Sequence, residues 1–133
     1  MLEIQKITLE KNLKYNNSII LKYSISYLKI KSNTYIYGVE KFNHFNQIQA
    51  FNNKLYAEKN LYFLAKSDYD YNTANGYPTF PYEFSSDFTI TFNEKYIISL
   101  FQKDYTFTGG AHGSTVVSAQ NWNILLRKEI FAL

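Results

Sequence analysis

From Leu21 to Tyr27 the chain alternates between apolar and polar positions, after the apolar pair Ile19-Ile20. Ile19, Leu21, Tyr23, Ile25 and Tyr27 fall on one side of an extended chain, and Lys22, Ser24 and Ser26 on the other. A period of two over this length predicts a half-buried antiparallel strand. Residues 2–13 alternate more loosely, and Tyr15-Asn-Asn-Ser18 supplies turn chemistry, which predicts an earlier strand ending there. From Phe42 the period changes. Phe42, Phe45, Ile48, Phe51 and Leu55, then Leu61, Tyr62, Ala65 and Tyr69, recur at mainly three- and four-residue steps among polar residues such as Asn43, Gln47 and Lys54. That spacing predicts an amphipathic helix, either continuous or broken near Asn60. Asn75-Gly76 provides a left-handed C-terminal cap, and Pro78 cannot continue the helix.

After the linker Tyr77-Pro-Thr-Phe-Pro-Tyr82 the period of two returns. Phe84, Phe88, Ile90 and Phe92 are expected on one face, and Ser85, Asp87, Thr89 and Thr91 on the other. Asn93-Glu94 is expected to turn the chain into a strand over Tyr96–Phe107. A last strand over Thr115–Ile124 carries Val116, Val117 and Trp122. The order strand–strand–helix–strand–strand–strand predicts an α+β fold, with an antiparallel sheet of about five strands and one long helix packed on one face. No internal repeat or low-complexity tract is visible.

Composition narrows the function classes. A length of 133 residues, 46% hydrophobic and 19% charged, fits one domain with a real core. The 13 Tyr and 11 Phe suit a half-buried sheet or a binding surface, although an AT-rich genome accounts for that bias equally well. A net charge of +3, with scattered lysines and a single Arg127, carries no clustered basic face for nucleic acid. Without cysteine there are no disulfides or thiolate metal sites. Glu3, Gln5 and Lys6 interrupt any apolar N-terminal run, and no stretch reaches the roughly 20 apolar residues of a membrane span.

Candidate chemistry concentrates in Tyr105-Thr-Phe-Thr-Gly-Gly-Ala-His-Gly-Ser-Thr115, which holds three of the five glycines and one of the two histidines. His112 and His44 have no partner at a metal-binding spacing, so no metal or other cofactor is expected, and His44 reads as a capping or surface residue. Asp104, His112 and Ser114 lie close in sequence, but the segment lacks a Gly-x-Ser-x-Gly nucleophile elbow. Glycines serve a wide turn between two strands with no ligand present. The loop is nevertheless longer than a minimal hairpin needs, and exposed amides beside His112 suit a polar or anionic ligand.

Asn75-Gly-Tyr-Pro-Thr-Phe-Pro-Tyr-Glu83, the strand after it, Tyr105-Thr-Phe-Thr-Gly-Gly-Ala-His-Gly113 and Asn121-Trp-Asn123 together resemble one bacterial family. It is the extracytoplasmic domain of unknown function at the N-terminus of PdaC-type peptidoglycan deacetylases, found also in the lysozyme-sensing RsiV anti-sigma factor. The resemblance spans most of the chain and is firmest over residues 75–125. It implies one non-catalytic module over residues 1–133, in a secreted or membrane-anchored protein of a Gram-positive bacterium. Catalysis in such deacetylases belongs to a separate domain with its own metal ligands, which nothing here matches. Relatives often continue into a second β-rich domain beyond a segment like Lys128–Leu133, which leaves open that the chain is a piece of a longer protein.

The leading expectation is a cell-envelope binding or sensing module, with cell-wall glycan or a lysozyme-like protein as partner. Tyr105, Thr108, Gly109, Gly110, His112, Gly113 and Trp122 are its candidate ligand-binding residues. The alternatives are a small hydrolase of envelope polymers, with His112 as general base and Ser114 or a water as nucleophile, and a purely structural domain.

Overall fold

The computed structural model describes residues 1–32, 36–126 and 128–130. The chain forms β1 (Glu3–Tyr15) and β2 (Ser18–Lys31), then α1 (Tyr37–Leu55), a π-helical turn (Tyr56–Leu61) and α2 (Tyr62–Ala74). β3 (Tyr82–Glu94), β4 (Ile97–Phe107), β5 (Ser114–Asn123), a 3-10 turn (Ile124–Leu126) and the short β6 (Lys128–Ile130) follow. The strands form one sheet in chain order. This is the expected α+β order, with the short β6 added and one pairing that is not antiparallel. β2 and β3 pair in parallel over Leu21–Ile25 and Tyr82–Ser86, and every other pair is antiparallel. Parallel neighbours need a long crossover connection, and the helix between β2 and β3 supplies it.

Local chemistry sets the boundaries. Asn16 and Asn17 have φ of 50° and 63°, a hairpin turn that asparagine tolerates. The next tight turn falls at Lys95-Tyr96, with φ of 52° and 63°, two residues beyond the expected Asn93-Glu94. Asn93 is occupied elsewhere: its Oδ1 accepts from the Leu2 amide at 3.1 Å and its Nδ2 donates to the Leu2 carbonyl at 2.8 Å. A bulge between Ile90 and Phe92 sets Phe92 opposite Ser99 although Ile90 lies opposite Leu100, so the expected alternation breaks there.

The helix begins at Tyr37, a turn before the expected Phe42, because Ile36 at its N-cap offers no capping side chain to mark the start. Its interruption near Asn60 is the π turn, through which the backbone stays helical. It ends in a Schellman motif: the Tyr77 amide donates to the Asn72 carbonyl, the Gly76 amide donates to Thr73, and Gly76 has φ of +70°.

The helix buries a stripe narrower than its apolar residues. Val39, Phe42, Asn46 and Ala50, then Ala57, Leu61 and Ala65, face the sheet. Ile48, Phe51 and Leu55, expected on that stripe, are 44%, 41% and 54% exposed. The alanines let the helix lie close on β2, above Leu21, Tyr23, Ile25 and Tyr27. Burying each large apolar side chain stabilises the fold by about 1.5–3 kcal/mol.

Beyond Ile25 and Ser86 the strands β2 and β3 no longer pair. Asn43 of α1 takes the place of a neighbouring strand at Ile30: its Oδ1 accepts from the Ile30 amide at 2.7 Å and its Nδ2 donates to the Ile30 carbonyl at 3.1 Å. A second core cluster joins Leu28 and Ile30 to Val39, Phe42, Ile98, Leu100, Trp122 and Ile124.

Candidate functional site

The glycine loop is the connection between β4 and β5, closed by the pair Thr106–Ser114. Tyr105 stands opposite Ser85 and Thr115, on the sheet face turned away from the helix. Its ring lies over Gly113, where an added Cβ would be 2.2 Å from the Tyr105 Cε1. Gly113 is therefore glycine for space, and loop and ring are packed as one unit. Gly109 has φ of +88°, a left-handed turn position. Thr108, Gly109, Gly110 and His112 are all exposed.

Trp122 is not with them. It lies opposite Ile98, whereas Tyr105 lies opposite Thr115, seven residues along β5. That is roughly 23 Å at about 3.3 Å per residue. The indole is 4% exposed, edge-on to Phe42 and Phe45, and its Nε1 donates to Gln120 Oε1 at 2.8 Å. Gln120 Nε2 donates to Asn46 Oδ1, and Asn46 Nδ2 to the Phe42 carbonyl. Trp122 is a core residue with a satisfied polar tip.

Two concavities flank the loop. One, on the outer sheet face, is an open groove of about 730 Å³ with Ser24 and Ser85 beside Glu10, Lys22, Glu83 and Tyr105. The other is a cleft of about 380 Å³ on the helix side. Four segments meet there: the start of β2 (Ser18–Ile20), α2 (Ala65, Asp68, Tyr69, Tyr71, Asn72), the linker Pro78–Tyr82, and Thr108-Gly109. Phe80 and Tyr71 present rings that are 61% and 62% exposed. The C-terminal cap of α2 hands the chain to the linker, and Phe80 of that linker lines the same cleft as Thr108-Gly109. Neither proline bond in that linker is cis.

Phenol–carboxylate pairs hold the helix side of this region. Tyr82 donates to Asp68 at the cleft, and burial first, then this bond and the carboxylate charge, push its phenol well above the usual range. Tyr23 donates to Glu58 at 2.6 Å and is raised for the same reasons in the same order. Tyr15 donates to Asp70 at 3.2 Å, and that bond chiefly raises its phenol.

Asp104, His112 and Ser114 are not assembled into a relay. The Asp104 carboxylate accepts from Gln102 Nε2 at 2.8 Å, and no hydrogen bond among the described residues joins it to His112 or joins His112 to Ser114. His44 is exposed within α1 and does not cap it. Among the described residues no three His, Asp or Glu side chains come together as metal ligands.

The family model described as Deacetylase PdaC matches residues 14–115. The chain belongs to the PdaC family. That match covers β2, the helix, the linker, β3, β4 and the glycine loop. Two solved structures share the fold. A DUF3298 family member from Bacteroides fragilis superposes with a TM-score of 0.74 at 14% identity, over 97% of this chain and 58% of that one. A DUF3298 family protein from Pseudomonas aeruginosa superposes with a TM-score of 0.54 at 13% identity, over 98% and 55%. This PdaC-family chain thus spans little more than half the length of either. No curated protein matches it. Among the described residues no helix is long and apolar enough to cross a membrane.

The cleft residues Asp68, Tyr69, Tyr71, Asn72 and Phe80 were not among those singled out from sequence. The signals for them are the pair of aromatic–proline steps after the helix cap and the Asn75–Glu83 stretch that carries part of the family resemblance.

Proposed function

We propose that this chain is a non-catalytic binding or sensing module of the bacterial cell envelope, and that its ligand is cell-wall glycan. The observation that carries this reading is the cleft that Thr108-Gly109, Phe80 and the end of α2 line together. Sugars are recognised by aromatic faces that cover their C–H surfaces and by polar atoms that bond their hydroxyls. Phe80 and Tyr71 supply the first, and Asp68, Tyr69, Asn72 and Thr108 the second. Membership of the PdaC family supports an extracytoplasmic setting. The deacetylase chemistry in that family's description is not part of the proposal.

The test is co-sedimentation with insoluble peptidoglycan. Wild type should pellet, and Phe80→Ala and Tyr71→Ala should each weaken binding about tenfold, the equivalent of roughly 1.4 kcal/mol per stacking ring. Unchanged melting temperatures would show that the fold survives. If wild type stays in the supernatant the glycan reading fails, and a lysozyme-like protein becomes the ligand to test by co-elution. Turnover of ester, amide or glycoside substrates that disappears in His112→Ala would replace the binding reading with the hydrolase one.

A further inference from the structure

The cleft at the end of α2 has a one-sided charge. Among the described residues that line it, Asp68 is the one charged side chain, and no lysine, arginine or histidine is present. Tyr82 donates to Asp68 Oδ2. Burial first, then that bond and the carboxylate charge, hold the Tyr82 phenol above its ordinary range, so it keeps the proton it donates. Asp68 is itself exposed, and its Oδ1 has no partner among the described residues, which leaves that oxygen open to a ligand. The helix adds to the same sign. Tyr71 and Asn72, near the C-terminal end of α2, line the cleft, and the last turn of α2 holds no basic side chain to balance the negative end of the helix dipole. The exposed rings of Phe80 and Tyr71 present faces that attract a cation. Carboxylate, helix end and ring faces are independent features, and all three favour positive charge.

We infer that this cleft selects a glycan with a free amine, an amino sugar whose ammonium group lies against Asp68 and the two rings, over its N-acetylated counterpart. This preference rests on the glycan reading of the cleft and narrows it. An ammonium donates a charge-assisted hydrogen bond to the open carboxylate oxygen and is drawn to a ring face. An acetamido group is neutral and gains neither. The chain carries a net charge of +3, which repels a cationic glycan in general, so attraction to one is local to a site of this kind.

The test is calorimetric titration of the intact chain with glucosamine oligomers and with N-acetylglucosamine oligomers of the same length, at a mildly acidic pH where the free amine is protonated. Wild type should bind the free-amine oligomer about tenfold more tightly, and added salt should erode that margin. Asp68→Asn keeps the side-chain shape and an acceptor for Tyr82, and should bring the two affinities close to parity with unchanged circular dichroism. Asp70→Asn removes a carboxylate that accepts from Tyr15 and does not line the cleft, so the preference should persist there. Equal or tighter binding of the N-acetylated oligomer by wild type overturns the inference and leaves the glycan reading standing. So does a preference that survives Asp68→Asn or is lost equally in Asp70→Asn. Binding of neither oligomer overturns both.

Discussion

The ring of Tyr105 occupies the space that a side chain on Gly113 would need. A Cβ there would lie 2.2 Å from Cε1 and 2.4 Å from Cζ of the tyrosine. The obstructing atoms are the far end of a half-exposed side chain, which can swing away, so Gly113→Ala is expected to cost only about 1 kcal/mol. In a Tyr105→Ala background the same change should be nearly neutral. A double-mutant cycle by chemical denaturation checks this, and additive effects would show that ring and loop are not packed together.

A second glycine is constrained far more severely. Gly38 is buried at the start of α1, and a Cβ there would stand 1.8 Å from the Ile124 carbonyl oxygen. Alanine gains up to about 1 kcal/mol in helix propensity. The clash is with backbone and can be relieved only by separating α1 from the end of β5, at a cost of about 3 kcal/mol. The clash wins, so Gly38→Ala should lower the denaturation midpoint clearly, whereas alanine at exposed Gly110 should not.

The buried chain of amides from Trp122 through Gln120 to Asn46 leads to a third expectation. Asn46 is fully buried and serves both Gln120 and the Phe42 carbonyl. Asn46→Ala leaves the Gln120 amide unpaired in the core, which costs about 2 kcal/mol before any cavity is counted. The emission of Trp122, the single tryptophan, should shift in the same variant. Emission and stability both unchanged would contradict the network.

Stability should also fall at alkaline pH. The Tyr23 and Tyr82 phenols are raised above their ordinary value of 10.0, first by burial and then by Glu58 and Asp68. Above about pH 10 the unfolded chain therefore releases these protons while the folded chain retains them, and the folded state loses ground as pH rises further. The melting temperature should decline from about pH 10 upward, and Tyr23→Phe with Tyr82→Phe should flatten that decline.

How far the sequence was legible depended on the range of the interaction involved. The β2 alternation, the Asn16-Asn17 turn and the Gly76 cap are set by neighbours within a few residues, and all three were readable. The parallel β2–β3 pair was not, because it depends on where a helix of nearly forty residues returns the chain. Ile48, Phe51 and Leu55 have core spacing but lie outside, since Ala50 and Ala57 are the residues that permit close approach to β2. Trp122 looked like a ligand platform because a strand pattern does not say which face is covered; Phe42 and Phe45 cover it. The cleft was invisible because its four segments run from Ser18 to Gly109 and converge only in the fold.

The proposed glycan site lies between the glycine loop and the end of α2. Its most direct test is amide chemical-shift mapping of the chain titrated with soluble peptidoglycan fragments. Shifts confined to Thr108, Gly109, Tyr71, Asn72, Phe80 and their neighbours, and lost in Phe80→Ala, are the expected result. No shifts, or shifts centred on the outer groove at Ser24, Ser85 and Glu10, would contradict the account.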